Sequence, residues 1–227
     1  MDELLALDQR LLLALNGSDS IFWDNVMCTI TRTTTWIPLA LVLLYVVARN
    51  VNMRQMLVFV LMVAILVLIT DRVSSGVVKP LVHRFRPTHE PVLDGLVDVC
   101  RGYRGGLYGF FSSHAANTFG LCTFVSLVLR HWRSTVALVS WAALSSYSRI
   151  YLGVHYPGDI LCGMLFGIAV GWGLFLLYRY LLTLLNLPPR HFDSSRYTST
   201  GFFSKDCEWI PIAFVGTLVV VAICALW

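Results

Sequence analysis

Long runs of apolar residues, separated by short polar connections, occupy most of the chain. Six of these runs approach or exceed the roughly 20 residues that an α-helix needs to cross a bilayer. They cover residues 34–48, 56–82, 113–129, 135–150, 160–182 and 209–226. The pattern predicts an all-α fold, a polytopic membrane bundle of about six transmembrane helices.

The first residues show a different pattern. Over residues 4–15 the leucines recur on one side of a helix, whereas Asp8 and Arg10 fall on the other side. This spacing is amphipathic but too short to span a membrane, so we expect a helix that lies in the membrane interface. The same polar interruptions, and an acidic start where a basic one belongs, disfavour a cleavable signal peptide.

The composition agrees with a membrane protein. Of the 227 residues, 57% are hydrophobic and 13% charged, and the mean hydropathy is +0.70. Soluble domains have roughly 45–50% apolar and 25% charged residues. These values exclude a disordered chain, a secreted disulfide scaffold and a soluble nucleic-acid binder. We expect one membrane-embedded domain over residues 1–227, in which 209–226 is an additional C-terminal span, and no nucleic-acid partner or obligate protein partner.

The cysteines show no C-x-x-C pair and fall mostly in or beside apolar runs, so we interpret them as small core residues. A disulfide would need two partners on an oxidising side of the membrane, such as Cys28 and Cys100. The six cysteines are Cys28, Cys100, Cys122, Cys162, Cys207 and Cys224.

Basic residues outside the apolar runs concentrate in three alternate loops, which the positive-inside bias assigns to the cytoplasm. These residues are Arg49, Arg54, Arg130, Arg133, Arg179, Arg190, Arg196 and Lys205. Residues 82–112, residues 151–158 and both termini then belong to the outer side of a bacterial-type inner membrane. The outer loop 82–112 is itself basic, which violates the rule and indicates a functional reason.

The remaining ionisable groups cluster at the outer ends of the predicted spans. A single one would be interpreted as a snorkelling interfacial residue. Together they form a candidate site, which comprises Lys79, Arg84, Arg86, His114, Arg149, His155 and Asp159.

The spacing of these groups has physical meaning. Lys79 and Arg86 are seven residues apart, which places them on one side of a helix if the helix continues to Pro87. Ser112 opens another predicted helix, whose free N–H groups favour an anion. In a third segment Asp159 follows His155 by four residues and can accept its ring N–H.

Three permanent cations, a helix N-terminus and two histidines, one with a carboxylate partner, favour phosphoryl transfer without a metal. The cations would stabilise the transferring group, one histidine would attack phosphorus and the other would protonate the leaving oxygen. Zinc ligation by two histidines and Asp159 is the alternative. The neighbouring cations disfavour it, and no cysteine or glutamate completes the set. We therefore expect no cofactor.

Three motifs carry a resemblance to a known family. The chain contains KPLVHRFRP, of the form K-x6-R-P; SSH, where the family has P-S-G-H; and SRIYLGVHYPGD, of the form S-R-x5-H-x3-D. Over this signature region, residues 79–159, the chain resembles the type 2 phosphatidic acid phosphatase superfamily, which includes vanadium haloperoxidases and bacterial acid phosphatases. The resemblance implies an all-helical fold, no metal requirement and a site at the outer rim of the membrane.

The resemblance also implies residue roles. His155 would be the nucleophile that forms a phosphohistidine, Asp159 would orient it, and His114 would be the general acid. Lys79, Arg86 and Arg149 would hold the phosphate, helped by Ser112 and the backbone N–H of Ser113. The sequence departs from the second motif at Phe111, where the family has Pro, and at Ser113, where it has Gly.

Other charged residues lie near this signature. Arg84, Arg101 and Arg104 are candidate contacts for a lipid headgroup. Asp71 and Arg72 lie inside the second predicted span, and we expect them to pair with neighbouring helices rather than with substrate.

The resulting hypothesis is a membrane lipid-phosphate phosphatase with a periplasmic site, which hydrolyses a phosphomonoester or diphosphate. The candidate substrates are undecaprenyl diphosphate, lipid A phosphates, phosphatidylglycerophosphate and phosphatidic acid. A transporter or flippase for an anionic lipid is the main alternative, although its charges would lie nearer the bilayer midplane. A non-catalytic binding protein is a second alternative, which the complete His-His-Asp set disfavours.

Overall fold

The computed structural model describes residues 2–187 and 195–227, and helices account for most of them. The helices are α1 (Asp2–Leu15), α2 (Ile21–Ile30), α3 (Ile37–Asn50), α4 (Met53–Asp71), α5 (Lys79–Val82), α6 (Ser113–Leu129), α7 (Trp132–Tyr151), α8 (Pro157–Leu184), α9 (Ser204–Cys207) and α10 (Trp209–Cys224).

The prediction of an all-α polytopic bundle is confirmed. Only isolated β-bridges, and no strand, occur among the described residues. Four continuous helical stretches are long and apolar enough to cross a membrane: Thr33–Asn50, Met53–Val82, Pro157–Leu184 and Ser204–Cys224. Only 22% to 28% of each apolar stretch is buried, as expected for helices whose outward faces contact lipid. The other two predicted spans form α6 and α7, which lie at the centre of the bundle.

The closest helix pair is α6 with α8, because glycines let the two backbones approach. Gly163, Gly167 and Gly171 recur every four residues on α8 and face backbone atoms of α6. A Cβ at Gly167 would collide with the carbonyl oxygen of Ala116, and one at Gly171 with that of Gly120. Small residues at this spacing are typical of close helix packing in membranes. The contact extends to the first residues of both helices, where the signature motifs lie.

Aromatic and aliphatic side chains fill the space between α4, α6 and α8. The rings of Phe59, Phe124 and Tyr178 pack with centroid distances of 5.5 to 6.4 Å. Leu66 and Val125 are almost fully buried beside them. The close packing of these side chains fixes the relative position of the three helices.

The region around Lys79 differs from the sequence expectation. A π-helical segment, Arg72–Val78, joins α4 to α5, and the helix ends at Val82 because His83 adopts a left-handed conformation with φ of 52°. The predicted continuation of the helix to Arg86 is therefore wrong. Arg86 instead lies in an extended segment, where its N–H donates to the carbonyl of Leu107 at 3.0 Å.

Two elements near the N-terminus pack against the site end of the bundle. The amphipathic α1 forms as predicted and contacts α7 and α8. The short helix α2 was not expected from the hydrophobic pattern. Its Cys28 lies in a buried cluster with Cys100 of the outer loop, with the two Sγ atoms 2.8 Å apart and both thiols free.

The three loops assigned to the cytoplasm gather at the opposite end of the bundle. Arg133 donates to Glu208 at 2.6 Å, and Arg49 lies 4.0 Å from Asp206. Arg190 lies outside the described residues. At the other end, Asn25 of α2 donates to the carbonyl of Ala225, so the end of α10 lies beside α2 on the side of the signature motifs.

Candidate active site

The His155 side chain lies at the centre of the signature residues, in the connection between α7 and α8. It is 1% exposed. Its Nδ1 is 3.4 Å from Oδ2 of Asp159, and its Nε2 is 3.2 Å from Nη1 of Arg86. Because arginine is always a donor, Nε2 accepts and Nδ1 carries the proton toward Asp159. The ring is thus neutral, with a lone pair on Nε2.

The surroundings of His155 favour this neutral form. Burial lowers the pKa of the His155 ring well below its usual value, and the charges of Arg86, Arg149 and Lys79 lower it further. A neutral imidazole is the form that can act as a nucleophile or a base.

The Asp159 carboxylate is fully buried at the start of α8 and is held on both oxygens. Its Oδ2 accepts from the backbone N–H of Tyr156 at 3.1 Å, in addition to its contact with His155. Its Oδ1 accepts from Nη1 of Arg84 at 2.8 Å. The Asp159 carbonyl also accepts from the N–H of Ser112 at 3.1 Å, which ties the start of α8 to the start of α6.

Lys79 reaches the start of α6 from the other side. Its Nζ donates to Oγ of Ser113 at 2.8 Å. The hydroxyl of Ser74, in the π-helical segment, lies 2.8 Å from the same Oγ and donates to the carbonyl of Phe111 at 2.9 Å. The π-helical segment therefore holds the position of Lys79 and of the second motif together.

The departures from the second motif fit the local backbone. Ser112 caps α6, where its Oγ accepts from the N–H of Ala115 at 3.4 Å. Ser113 is the first residue of α6 and has no positive φ, so a side chain is tolerated where the family has glycine. Its hydroxyl becomes part of the contact with Lys79.

Arg149 is 3% exposed at the end of α7 and points into the same space. Nη1 donates to Oγ1 of Thr31 at 2.7 Å, and Nη2 lies 3.4 Å from the Tyr103 hydroxyl. Nε is buried and has no hydrogen-bond acceptor within the described part of the chain. A buried donor of this kind is suited to an anionic ligand.

His114 lies in the first turn of α6 and is partly buried. The positive charges of Arg149, Lys79 and Arg86 are close enough to interact electrostatically with its ring, and the His114 ring interacts in the same way with His155. The structure therefore brings together Lys79, Arg86, Ser112, Ser113, His114, Arg149, His155 and Asp159 from four segments of the chain.

The three arginines named as candidate headgroup contacts lie in different places. Arg84 lies beneath the site, where it bridges Asp159 and Asp8 and stacks on the Tyr156 ring at 4.0 Å. Arg101 and Arg104 are exposed on the outer loop. Arg101 contacts Asn25, and Arg104 lies 3.4 Å from the carbonyl of Thr88. Only these two are open to a headgroup.

Asp71 and Arg72 are both exposed rather than buried between helices, so the expected pairing inside the bundle is wrong. The negative charge of Asp71 instead stabilises the ammonium group of Lys79.

Several site residues come from segments that carry no motif. Asp8 lies in α1 and Thr31 caps α2. Gly109 packs against His155 and Asp159, and a Cβ there would lie 3.1 Å from Oδ2 of Asp159. Their contacts join residues far apart in sequence, so local spacing gives no signal for them. Across the part of the chain that the structure describes, no group of three or more His, Cys, Asp or Glu side chains is arranged to hold a metal ion.

Comparison with known proteins agrees with this geometry. The model of the PAP2 superfamily matches residues 55–182, which include every residue of the signature. A lipid A 4′-phosphatase of Bacteroides thetaiotaomicron is 39% identical over 73% of this chain and 74% of its own length. A lipid A 4′-phosphatase of Porphyromonas gingivalis is 36% identical over 79% of this chain and 76% of its own. No solved structure gives a match.

Proposed function

The chain belongs to the PAP2 superfamily, and from this premise we propose that it is a membrane lipid phosphatase that removes a phosphate from lipid A through a phosphohistidine intermediate. The observation that carries the mechanism is the His155 ring. Its Nδ1 is directed at Asp159 and its Nε2 at Arg86, in a space that Lys79, Arg149 and His114 also border.

In the first step the substrate phosphate takes the place beside Nε2 that Arg86 borders. Lys79, Arg86 and Arg149 bind its non-bridging oxygens, and the N–H groups at the start of α6 contribute. The lone pair of His155 Nε2 forms a bond to phosphorus while the bond from phosphorus to the lipid oxygen breaks. His114 donates its proton to that leaving oxygen, and the dephosphorylated lipid departs.

In the second step water replaces the leaving lipid. His114, now neutral, removes a proton from the water as it attacks phosphorus, and the bond to Nε2 breaks. Inorganic phosphate leaves, His155 is neutral again and His114 is again protonated. Asp159 stays hydrogen-bonded to Nδ1–H throughout and stabilises the positive charge on the phosphorylated ring.

This chemistry needs no metal, because the three cations supply the charge that stabilises the transferring group. The same cations would repel a divalent ion from the space beside His155. We therefore propose a metal-independent phosphatase.

The substrate assignment rests on the relatives, both of which are named lipid A 4′-phosphatases. The exposed Arg101 and Arg104 beside the site suit a headgroup that carries more than one phosphate. The phosphate contacts themselves are common to all the lipid phosphates considered above.

We place the protein in a bacterial inner membrane with its site on the periplasmic face. The basic loops at the far end of the bundle favour that orientation.

The mechanism is tested with purified protein in detergent. His155→Ala and His114→Ala should abolish phosphate release. His89→Ala should not, because His89 lies in the outer loop 82–112 and outside the proposed machinery. A brief reaction with 32P-labelled lipid should leave acid-labile, base-stable label on the wild type and none on His155→Ala. Release of phosphate by His155→Ala would overturn the mechanism.

The substrate is tested by comparing kcat/KM for lipid A with the values for phosphatidic acid, phosphatidylglycerophosphate and undecaprenyl diphosphate. Lipid A should rank first, and mass spectrometry should show loss of the phosphate at the 4′ position. Chelators should not lower the rate and vanadate, which adopts the geometry of the transferring phosphate, should inhibit it. Transport of labelled lipid into liposomes by His155→Ala would favour a transporter instead.

A further inference from the structure

The amphipathic helix α1 places one largely buried carboxylate against Arg84, the arginine that contacts Asp159. Asp8 is the residue involved, and only 14% of its side chain is exposed. Its Oδ2 accepts from Nη2 of Arg84 at 2.7 Å, and its Oδ1 accepts from the N–H of Gly158 at 2.7 Å. Asp8 thus contacts Arg84, 76 residues further along the chain, and the start of α8, 150 residues further along.

Arg84 is shared between two carboxylates. Its Nη1 donates to Asp159 at 2.8 Å while Nη2 donates to Asp8, so the planar guanidinium is held at two corners. Burial lowers the pKa of Arg84, but Asp159 and Asp8 together raise it above its usual value. A continuous chain of contacts therefore runs from Asp8 through Arg84 and Asp159 to His155.

We propose that Asp8 is a positioning residue for the reaction: by sharing Arg84 with Asp159, it keeps the Asp159 carboxylate oriented toward His155 and sufficiently negative to stabilise the phosphorylated ring. This inference rests on the proposed function, in which His155 is the nucleophile.

The net charge of the three interacting groups explains why the carboxylate of Asp8 matters. Asp8, Arg84 and Asp159 together carry one net negative charge, which faces the ring of His155. Without the charge of Asp8, Arg84 would neutralise Asp159 alone, and the positive charge that develops on the ring would lose its counterion. The guanidinium would also lose one of the two acceptors that fix its plane.

The geometry around Gly158 supports a direct approach of Asp8. A Cβ at Gly158 would lie 2.8 Å from Oδ2 and 3.2 Å from Cγ of Asp8. The absence of a side chain at this position is therefore what admits the carboxylate to the start of α8. Gly158→Ala offers a way to displace Asp8 without removing any charge.

The test compares Asp8→Asn, Asp8→Glu and Gly158→Ala with the wild type. Glu3→Gln is the matched control, because it removes a carboxylate from an exposed position on the same helix. Asp8→Asn should lower kcat on the order of tenfold, a typical effect for a partner behind a catalytic group, while KM changes less than twofold. Asp8→Glu should recover part of the loss, Gly158→Ala should also lower kcat, and Glu3→Gln should match the wild type.

Two further measurements separate positioning from folding. Single-turnover labelling should show slower phosphoenzyme formation in Asp8→Asn at an unchanged unfolding temperature. Wild-type kcat in Asp8→Asn, or in Gly158→Ala if Asp8→Asn fails to fold, would overturn the proposal. A loss of kcat that follows the unfolding temperature and is not recovered by Asp8→Glu would also overturn it. His155→Ala distinguishes failure of the proposed function from failure of this inference. An active His155→Ala would refute His155 as the nucleophile. An inactive His155→Ala together with a fully active Asp8→Asn would refute only the positioning role of Asp8.

Discussion

At the scale of single residues, the hydrogen bonds of His155 define which nitrogen can react. Asp159 accepts on the side of Nδ1 and Arg86 donates on the side of Nε2. The Nε2 lone pair therefore points toward Arg86, one of the cations proposed to bind phosphate, and the Nδ1 proton points toward Asp159. One ring orientation satisfies both requirements, so the same contacts that bury the histidine also direct it.

The buried neutral ring has a consequence for stability against pH. Burial lowers the pKa of His155 in the folded protein, whereas the unfolded chain binds a proton near pH 6.5. The unfolded state therefore binds more protons below pH 6.5, and the stability that the neutral ring contributes above that pH is lost as the pH falls. Between the pKa of the unfolded chain and the lowered pKa of the folded protein, the loss should approach about 1.4 kcal/mol per pH unit.

His155→Gln lacks this titration and provides the comparison. Unfolding temperatures measured from pH 7.5 to pH 5 should fall more steeply for the wild type than for His155→Gln. Parallel curves would mean that His155 titrates in the folded protein as it does in the unfolded chain.

A second prediction at this scale concerns Gly109, which packs directly against Asp159 and Arg86. A Cβ here would lie 3.1 Å from Oδ2 of Asp159 and 3.2 Å from Cγ of Arg86. Gly109→Ala should displace both by a few tenths of an ångström and lower kcat/KM about tenfold, because reacting groups must keep their positions closely. Gly106→Ala, in the same loop with no atom within 4 Å of the added Cβ, should retain wild-type kcat/KM. Equal kinetics for the two variants would contradict the argument.

Spacing in the sequence predicts the pairing of His155 with Asp159, because four residues bring two side chains to one side of a turn. It does not predict Asp8, Thr31 or Gly109 as neighbours of the site. Their contacts depend on how α1, α2 and the outer loop dock, and that docking is determined by tertiary packing rather than by any local pattern.

At the scale of elements, the contact between α6 and α8 sets the geometry of the site. The second motif starts α6 and the third ends at the start of α8, so the distance between the two helices fixes the distance between His114 and His155. Gly163, Gly167 and Gly171 control that distance, because each of them faces backbone atoms at the start or along the length of α6.

Gly167→Ala tests this packing. Its Cβ would overlap the Ala116 carbonyl, which cannot move without shifting α6. Overpacking of this kind typically costs about 1–3 kcal/mol, so the unfolding temperature and the phosphatase rate should both fall. Gly173→Ala lies on the same helix with open space around the added Cβ and should be neutral or slightly stabilising, since alanine favours helix more than glycine. A stable and active Gly167→Ala would show that α6 has room to move.

Hydrophobic runs locate the helices well, since the predicted span 113–129 coincides with α6 and the others differ by a few residues at their ends. They fail where the backbone leaves regular geometry. Ser74 and Ser75 of the π-helical segment contact Ser113, and the ring of the left-handed His83 packs against Tyr108 of the outer loop. Hydropathy encodes neither contact.

At the scale of the whole molecule, charge separates into two ends. The described basic residues of the short loops lie with Asp206 and Glu208 at one end. Lys79, Arg84, Arg86 and Arg149 lie at the other end, where they surround the two histidines. These four cations are buried or partly buried in the site, where hydroxyls, carbonyls and carboxylates accept their hydrogen bonds. They are therefore not free loop charges of the kind that the positive-inside bias counts.

This separation predicts the orientation of the molecule in the membrane. Arg54 is exposed in the first turn of α4, next to the short connection from α3, and Gly106 is exposed in the outer loop. In a background with the exposed Cys224 replaced by Ser, a membrane-impermeant maleimide applied to intact spheroplasts should label Gly106→Cys. It should label Arg54→Cys only after the membrane is permeabilised, because short basic loops are retained in the cytoplasm. The opposite labelling pattern would place the site on the cytoplasmic face and would require the substrate to be dephosphorylated before export.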